Sequence, residues 1–385
     1  MEVTNYELFE VPPRWQFLKI ETDEGIVGWG EPYTKWHIED GSTPTTHTAV
    51  AEMMEKYVLG SDPRRIEDLW QAMYRSSFYR GGPVQMSAIA GVDQALWDLK
   101  GKHYDAPVHE LLGGPVRDRI RLYQHVSAVD PETAAESAQE AVDEGFSALK
   151  VTPMTKLERV DTPTAVNEGR AIVAAIREAT RSRIDIGVDL HGRVAKPLAK
   201  RVAGALEPYN PMFIEEPVTP EHNDALPAIA ASTDIPIATG ERLYTRSDFK
   251  PVLESGALDV VQPDVSHAGG ITETKKIADM AASYDAALAL HCPVGPISVA
   301  ASLQIDACAP NALVQEQTLH RKDGWRAYLN DASVFEYDVG GYLEPPSGPG
   351  LGVELDEEAI RERAGEDMFY ERPVWRHDDG SIAEQ

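Results

Sequence analysis

The sequence predicts an α/β protein, a (β/α) barrel joined to a smaller α+β unit, on three observations. The chain has 385 residues, long for one ordinary domain and short for three. From residue 121 onward short apolar runs alternate with amphipathic helical stretches, which is how βα units read. There are eight such runs, and they recur at a nearly even interval.

The smaller unit comes first and is expected over residues 1–118. Residues 15–20, WQFLKI, alternate apolar and polar and lead through Thr22, Asp23, Glu24 and Gly25 into IVGWGEP, a β-hairpin with a short turn. Three helical stretches follow. The clearest covers 86–112, where Ala88, Val92, Ala95, Leu96 and Leu99 recur at helical spacing until Gly101 interrupts.

The barrel is expected over residues 119–330. Its runs are RLYQHVS at 121, ALKVT at 148, IDIGVDLH at 184, MFIEEP at 212, IPIATGE at 235, DVVQPD at 259, AALALHCP at 286 and ALVQEQ at 312. Successive starts differ by 27, 36, 28, 23, 24, 27 and 26 residues, about what a strand, a helix and two loops require. A doubly wound open sheet uses the same units, but it calls for a Gly-rich phosphate loop after its first strand, and none stands there. The tail, 331–385, is polar and rich in Gly, Pro and aromatics, and is expected to pack back on the first unit.

Composition narrows the function. Apolar residues make up 42% of the chain without any run near the roughly 20 needed to cross a bilayer, so no membrane partner is expected. The first twenty residues lack a basic start followed by an apolar block, which reads as no secretory signal. Cys292 and Cys308 are the only cysteines, giving neither a disulfide framework nor a zinc spacing and suiting a reducing, cytoplasmic setting. The net charge of −27 is scattered rather than gathered in a tail and excludes nucleic acid as a natural partner. Such a surface repels itself at low salt and is relieved by screening. We therefore expect a salt-adapted, halophilic protein whose melting midpoint rises between low and molar KCl. An unchanged midpoint would refute this.

In a barrel of this kind the chemistry sits at the carboxyl ends of the strands. Those ends are ionisable here: Asp189 and His191 on the third run, Glu215 and Glu216 on the fourth, Glu241 on the fifth, Asp264 on the sixth, His291 on the seventh and Glu316 on the eighth. Asp189, Glu215 and Glu241 follow one another at intervals of 26 residues, equivalent places on three adjacent strands. Three carboxylates brought to one point repel each other unless a proton or a cation intervenes. All-oxygen side-chain ligation favours Mg²⁺, with Mn²⁺ as the alternative, over Zn²⁺. Each acid alone reads equally well as a cap for the following helix; three at equal spacing do not. Neighbours on a strand point to opposite faces, and spacing leaves the choice between Glu215 and Glu216 open. Asp189 and His191 differ by two and so share a face. Asp264 is placed to accept the second N–H of His291, fixing its tautomer and raising its basicity. A carboxylate substrate on such a metal has an acidified α-proton. A neutral histidine can remove it while a protonated one assists a leaving hydroxide, and the outcome is dehydration.

The segments VDLHGR from 188, FIEEP from 213, ATGER from 238, QPDVSHAGGITE from 262 and HCPVGP from 291 resemble the mandelate racemase branch of the enolase superfamily. Within it, WQFLKIETDEGIVGWGEP, FYRGGPVQMSAIAGVDQALWDLKGK and the late PVWRH resemble the D-galactonate dehydratases and related sugar-acid dehydratases. The resemblance spans essentially the whole chain. It implies a barrel of modified TIM type with an N-terminal capping domain, and Mg²⁺ ligation by Asp189, Glu215 and Glu241, taking the first Glu of the pair. It further implies His291, paired with Asp264, as the base at C2, His191 as the acid for the 3-hydroxyl, and Glu316 as a stabiliser of the enediolate. The product would be a 2-keto-3-deoxy acid, and the assembly a homo-oligomer. Related racemases carry a lysine pair separated by one residue, where this chain has Lys150 and Thr152; that disfavours two-base racemisation. Lys150 reads either as a substrate-positioning group or as a surface lysine. The loop YTKWHIEDGSTPTT after Glu31 departs from the galactonate enzymes, and first-domain loops help select the sugar in this superfamily. Gluconate and xylonate therefore stand beside galactonate. A racemase or cycloisomerase on the same scaffold, and a non-catalytic metal-binding barrel, are the competing readings.

Overall fold

The expected hairpin is part of a three-stranded antiparallel sheet. β2 (Trp15–Thr22) pairs with β3 (Val27–Gly30) as predicted, and β1 (Val3–Val11) adds a strand on the other side of β2. β1 escapes a periodicity reading because only Val3, Phe9 and Val11 are buried along its nine residues. The computed structural model describes residues 1–33, 45–181, 184–319, 324–366 and 374–384.

Three main helices follow, α1 (Thr45–Met53), α2 (Ile66–Arg75) and α3 (Pro83–His103). α3 lies on β3 main chain to main chain: a Cβ on Gly30 would stand 1.9 Å from the Gly91 carbonyl oxygen, and one on Gly28 would stand 2.4 Å from that of Ala95. Gly101 does not interrupt the helix, which runs on to His103. A glycine there costs about 1 kcal/mol of helix propensity, and the reason for it is tertiary. The Cα of Gly350 from the tail sits 2.5 Å from where a Cβ would be. A single helical turn, α4 (Val108–Leu111), and the short β4 (Ile120–Arg121) lead out of this unit.

The repeated units then unfold as expected: β5 (Gln124–His125), α5 (Pro131–Asp143), β6 (Ala148–Val151), α6 (Pro163–Thr180), β7 (Asp185–Asp189), α7 (Lys196–Leu206), β8 (Phe213–Glu215), α8 (Leu226–Ala230), β9 (Ile237–Thr239), α9 (Arg246–Glu254), β10 (Val260–Val261), α10 (Gly270–Ala282), β11 (Ala287–Leu288) and α11 (Pro296–Cys308). The seven strands form one parallel sheet in chain order. The eighth run is not a ladder strand. Ala312 makes an isolated parallel bridge to Leu288 at one edge of the sheet, and Gln315 makes one to Leu122 at the other. One side chain from each of seven runs, Tyr123, Ala148, Phe213, Ala238, Val260, Ala289 and Val314, meets in a single apolar cluster. The 184 run contributes Gly187, whose missing side chain is replaced by the Phe213 ring, 2.8 Å from its would-be Cβ. The larger apolar core lies between the strands and the helices, with Ile176, Val202, Ile229 and Ile277 facing Ile186, Ile214 and Leu288.

The tail returns to the first sheet. β12 (Tyr342–Leu343) pairs with β4, and α12 (Glu357–Arg363) sets Arg361 against Glu7 at 2.8 Å and Glu357 against Lys19 at 2.8 Å. Tyr328 donates to the Pro12 carbonyl. Further on, Trp375 lies under the Arg193 guanidinium, 4.6 Å from ring centre to charge. Both cysteines are buried and unbonded to each other. Among the described residues no helix is long and apolar enough to cross a membrane.

Candidate active site

The parallel strands deliver their carboxyl ends to one side. Asp189 closes β7 and Glu215 closes β8 in direct register, and Glu241 follows β9 by two residues. All three are buried, as are Lys150, Asp264, His291 and Glu316.

Glu215 accepts from the Lys150 ammonium and from Gln262 at 2.8 Å. Burial raises its carboxyl, Lys150 opposes, and the charges of Asp189, Glu316 and Glu241 add to the rise, leaving it at about 8. Glu216 goes elsewhere. Its φ of 45° turns the chain at the strand end, and its carboxylate takes Arg242 at 2.8 Å together with Thr239. The geometry thus separates the two glutamates that spacing left equivalent.

Asp189 accepts the backbone N–H of His191 at 2.7 Å and the Thr152 hydroxyl at 3.3 Å. The expectation that strand alternation carries from Asp189 to His191 is corrected here. β7 ends at Asp189, and His191 sits in a turn at φ 52°, so a left-handed turn aims it. It is near enough for its charge to help lower Glu241. Burial works to raise Glu241, but the charge and bond of His291, with His191 and Lys150, hold it well below the carboxylate range.

His291 has a partner on each ring nitrogen. Nδ1 lies 2.8 Å from Asp264 and Nε2 3.0 Å from Glu241. A carboxylate can only accept, so Nδ1 is the donor to Asp264. Burial pushes the imidazole down, yet the Glu241 and Glu316 charges and the Asp264 bond outweigh it and hold His291 well above its ordinary value. Glu316 accepts the Cys292 N–H at 2.9 Å and lies 3.3 Å from Lys150 and 2.7 Å from His125. The surface reading of Lys150 fails: it is 2% exposed and shared among Glu215, Glu316 and, at 3.9 Å, Asp189.

Five buried carboxylates, Asp189, Glu215, Glu241, Asp264 and Glu316, therefore lie around one ammonium and the imidazoles of His125, His191 and His291. Among the described residues no three His, Cys, Asp or Glu side chains stand grouped as a metal ion needs; Lys150 and His291 each lie between the carboxylates. The donor set itself fits a hard dication, being all-oxygen and short of positive charge. Sequence reading passed over His125, Gln262 and Arg242. His125 closes β5 as Asp189 and Glu215 close their strands, within the run RLYQHVS.

A cavity of about 200 Å³ opens onto Glu241 and His291. Tyr33, Thr46, Pro83, Val84 and Ser87 come from the first unit, and Arg242, Tyr244 and His267 complete the lining. A larger hollow of about 470 Å³ beside Arg65, Trp97 and Lys276 holds none of the site groups. The departing loop after Glu31 reaches the cavity through Tyr33 and Thr46, but its residues 34–44 lie outside the described ones.

Comparison with known proteins gives the family. Residues 133–359 match the family described as enolase C-terminal domain-like, and residues 13–113 match the mandelate racemase/muconate lactonizing enzyme N-terminal domain. The chain belongs to the enolase superfamily. Superfamily relatives named D-galactonate dehydratase, from Variovorax paradoxus (strain S110) and Ralstonia nicotianae (strain ATCC BAA-1114 / GMI1000), are 50% and 49% identical over 100% of both chains. The crystal structure of a mandelate racemase/muconate lactonizing enzyme from Jannaschia sp. CCS1 superposes with a TM-score of 0.87 at 31% identity, covering 94% of this chain and 98% of its own. One from a Sulfitobacter species gives 0.87 at 32%, covering 97% and 99%.

Proposed function

We propose that this enolase-superfamily chain is a Mg²⁺-dependent sugar-acid dehydratase that converts D-galactonate to its 2-keto-3-deoxy acid. The observation that carries the reading is His291, oriented by Asp264 through Nδ1 and presenting Nε2 toward Glu241 on the cavity wall. Full-length relatives bearing the galactonate name support the substrate, and gluconate and xylonate follow as alternatives.

Asp189, Glu215 and Glu241 would hold the cation, with Mn²⁺ as a substitute for Mg²⁺. Bound there, it supplies the positive charge that acidifies the α-carbon and takes up the Glu241 charge now paired with His291. His291 removes the C2 proton, and the C–H electrons pass into the enediolate. Lys150, held in place by Glu316, would face the charge that develops, which is how Glu316 helps to stabilise the enediolate. His191 gives a proton to the 3-hydroxyl, which leaves as water, and the enol tautomerises to the 2-keto acid. Racemisation is disfavoured by Thr152, which stands where a second lysine base is expected and bonds Asp189 instead.

The same reading includes a barrel closed by the 312–315 bridges around the seven-residue cluster. It divides the chain into a capping domain over 1–118, a barrel over 119–330 and a returning segment over 331–385. The test is incubation with Mg²⁺ and a panel of aldonic acids, followed by semicarbazide detection of 2-keto-3-deoxy acids. D-Galactonate should give the strongest signal. A blank panel with α-proton exchange in D₂O would favour the racemase reading, and a blank panel without exchange a binding protein.

A further inference from the structure

We propose that Glu31 and Gln94, both from the N-terminal unit, are positioning residues for the Asp264–His291 pair. The inference rests on the role proposed for His291. Glu31 follows β3 and is fully buried, as are Gln94, Ser266 and Ser298. Its carboxylate accepts the backbone N–H of Gly295 at 2.7 Å and of Ser298 at 3.0 Å, and a bond from the Ser298 side chain. Those donors open α11, four to seven residues after His291. Burial pushes Glu31 up to about 7 against the pull of these three bonds.

Gln94, on α3, joins Glu31 to the other half of the pair. Glu31 N–H can only donate, so the Gln94 oxygen takes it, at 2.8 Å, and the amide nitrogen must then donate to Ser266 Oγ, at 3.1 Å. Ser266 Oγ contacts Ser298 Oγ. One direction satisfies every group: Gln94 donates to Ser266, Ser266 to Ser298, and Ser298 to Glu31. The backbone N–H of Ser266 meanwhile donates to Asp264 at 2.7 Å, and the other Asp264 oxygen holds His291. The loop bearing Asp264 and the loop bearing His291 are thus fastened to the same two side chains of the N-terminal unit, which sets the distance between acid and imidazole. Neither side chain touches the cavity that opens on His291.

Glu31→Gln is a sharp probe because an amide offers one acceptor where three donors converge, and its NH₂ must oppose an N–H. Ser266→Ala is the second variant; it removes the hydroxyl link and keeps the backbone bond to Asp264. In the Mg²⁺-loaded full chain we expect kcat to fall about 10- to 100-fold with KM within about twofold in both variants. We also expect the proton signal of His291 Nδ1–H, assigned in ¹⁵N-histidine-labelled protein by its loss in His291→Asn, to shift in both. An unmoved signal, or kcat and KM changing only in step with the melting temperature, overturns the inference. If the unsubstituted protein dehydrates no sugar acid, the proposed function fails, while the signal still decides whether Glu31 and Ser266 set the pair.

Discussion

His291→Asn will abolish both C2-proton exchange in D₂O and dehydration, a loss of about 10³-fold or more in kcat. Asparagine retains a polar group of similar reach toward Asp264 but has no basic nitrogen. His191→Asn will behave differently. Departure of the 3-hydroxyl loses its proton donor, so dehydration falls steeply, while exchange at C2 persists because His291 and Asp264 are untouched. Following exchange by proton NMR beside keto-acid formation separates the two variants. Exchange lost in His191→Asn and kept in His291→Asn would reverse the roles; equal loss of both activities in both variants would mean that neither role is separable.

Glu215→Gln will cancel stabilisation by Mg²⁺. A ligand that binds only the folded state at a hundred times its Kd adds about 2.7 kcal/mol, so the unsubstituted protein should melt higher as Mg²⁺ is added. Glu215 is the carboxylate most enclosed by others, burial and its acidic neighbours holding it at about 8 against Lys150. An amide cannot ionise to meet the cation as the Glu215 carboxyl can, and the Lys150 ammonium stays with Asp189 and Glu316. The variant should show no Mg²⁺-dependent rise and no dehydration. The control is Glu216→Gln, whose side chain belongs to Arg242; it should keep the rise. Equal responses in both variants would remove Glu215 from the cation site.

Much of this layout was legible in the residues. Strand ends are marked by a change from apolar to ionisable residues, and the 26-residue interval tied Asp189 and Glu215 to paired places on adjacent strands; Glu241 lies two residues past β9, where Ala238 is the partner of Glu215, so equal spacing did not give equal register. The Asp264–His291 bond was legible for the same reason, since both close successive runs. What could not be read depends on contacts remote in sequence. Gly101 looks like a helix stop until Gly350 is seen against it, 249 positions away. His191 shares a side with Asp189 only through a left-handed turn that alternation cannot encode. The eighth run is as apolar as the others, but only residues 312 and 315 bridge to neighbours, and apolarity does not count hydrogen bonds. Glu31, Gln94, Ser266 and Ser298 carry no periodic or motif signal toward one another; two loops and two helices must be folded before they meet.

The contact between β3 and α3 has a consequence for how such a molecule can change over generations. At Gly28, Gly30 and Gly91 two backbones rest on each other with no gap for a methyl group, so the thickness of bare polypeptide alone fixes how deep Glu31 reaches. Such a spacer cannot be lengthened or trimmed by mutation. Substitutions that change which sugar acid is taken are therefore expected at the rim of the pocket and not at this contact.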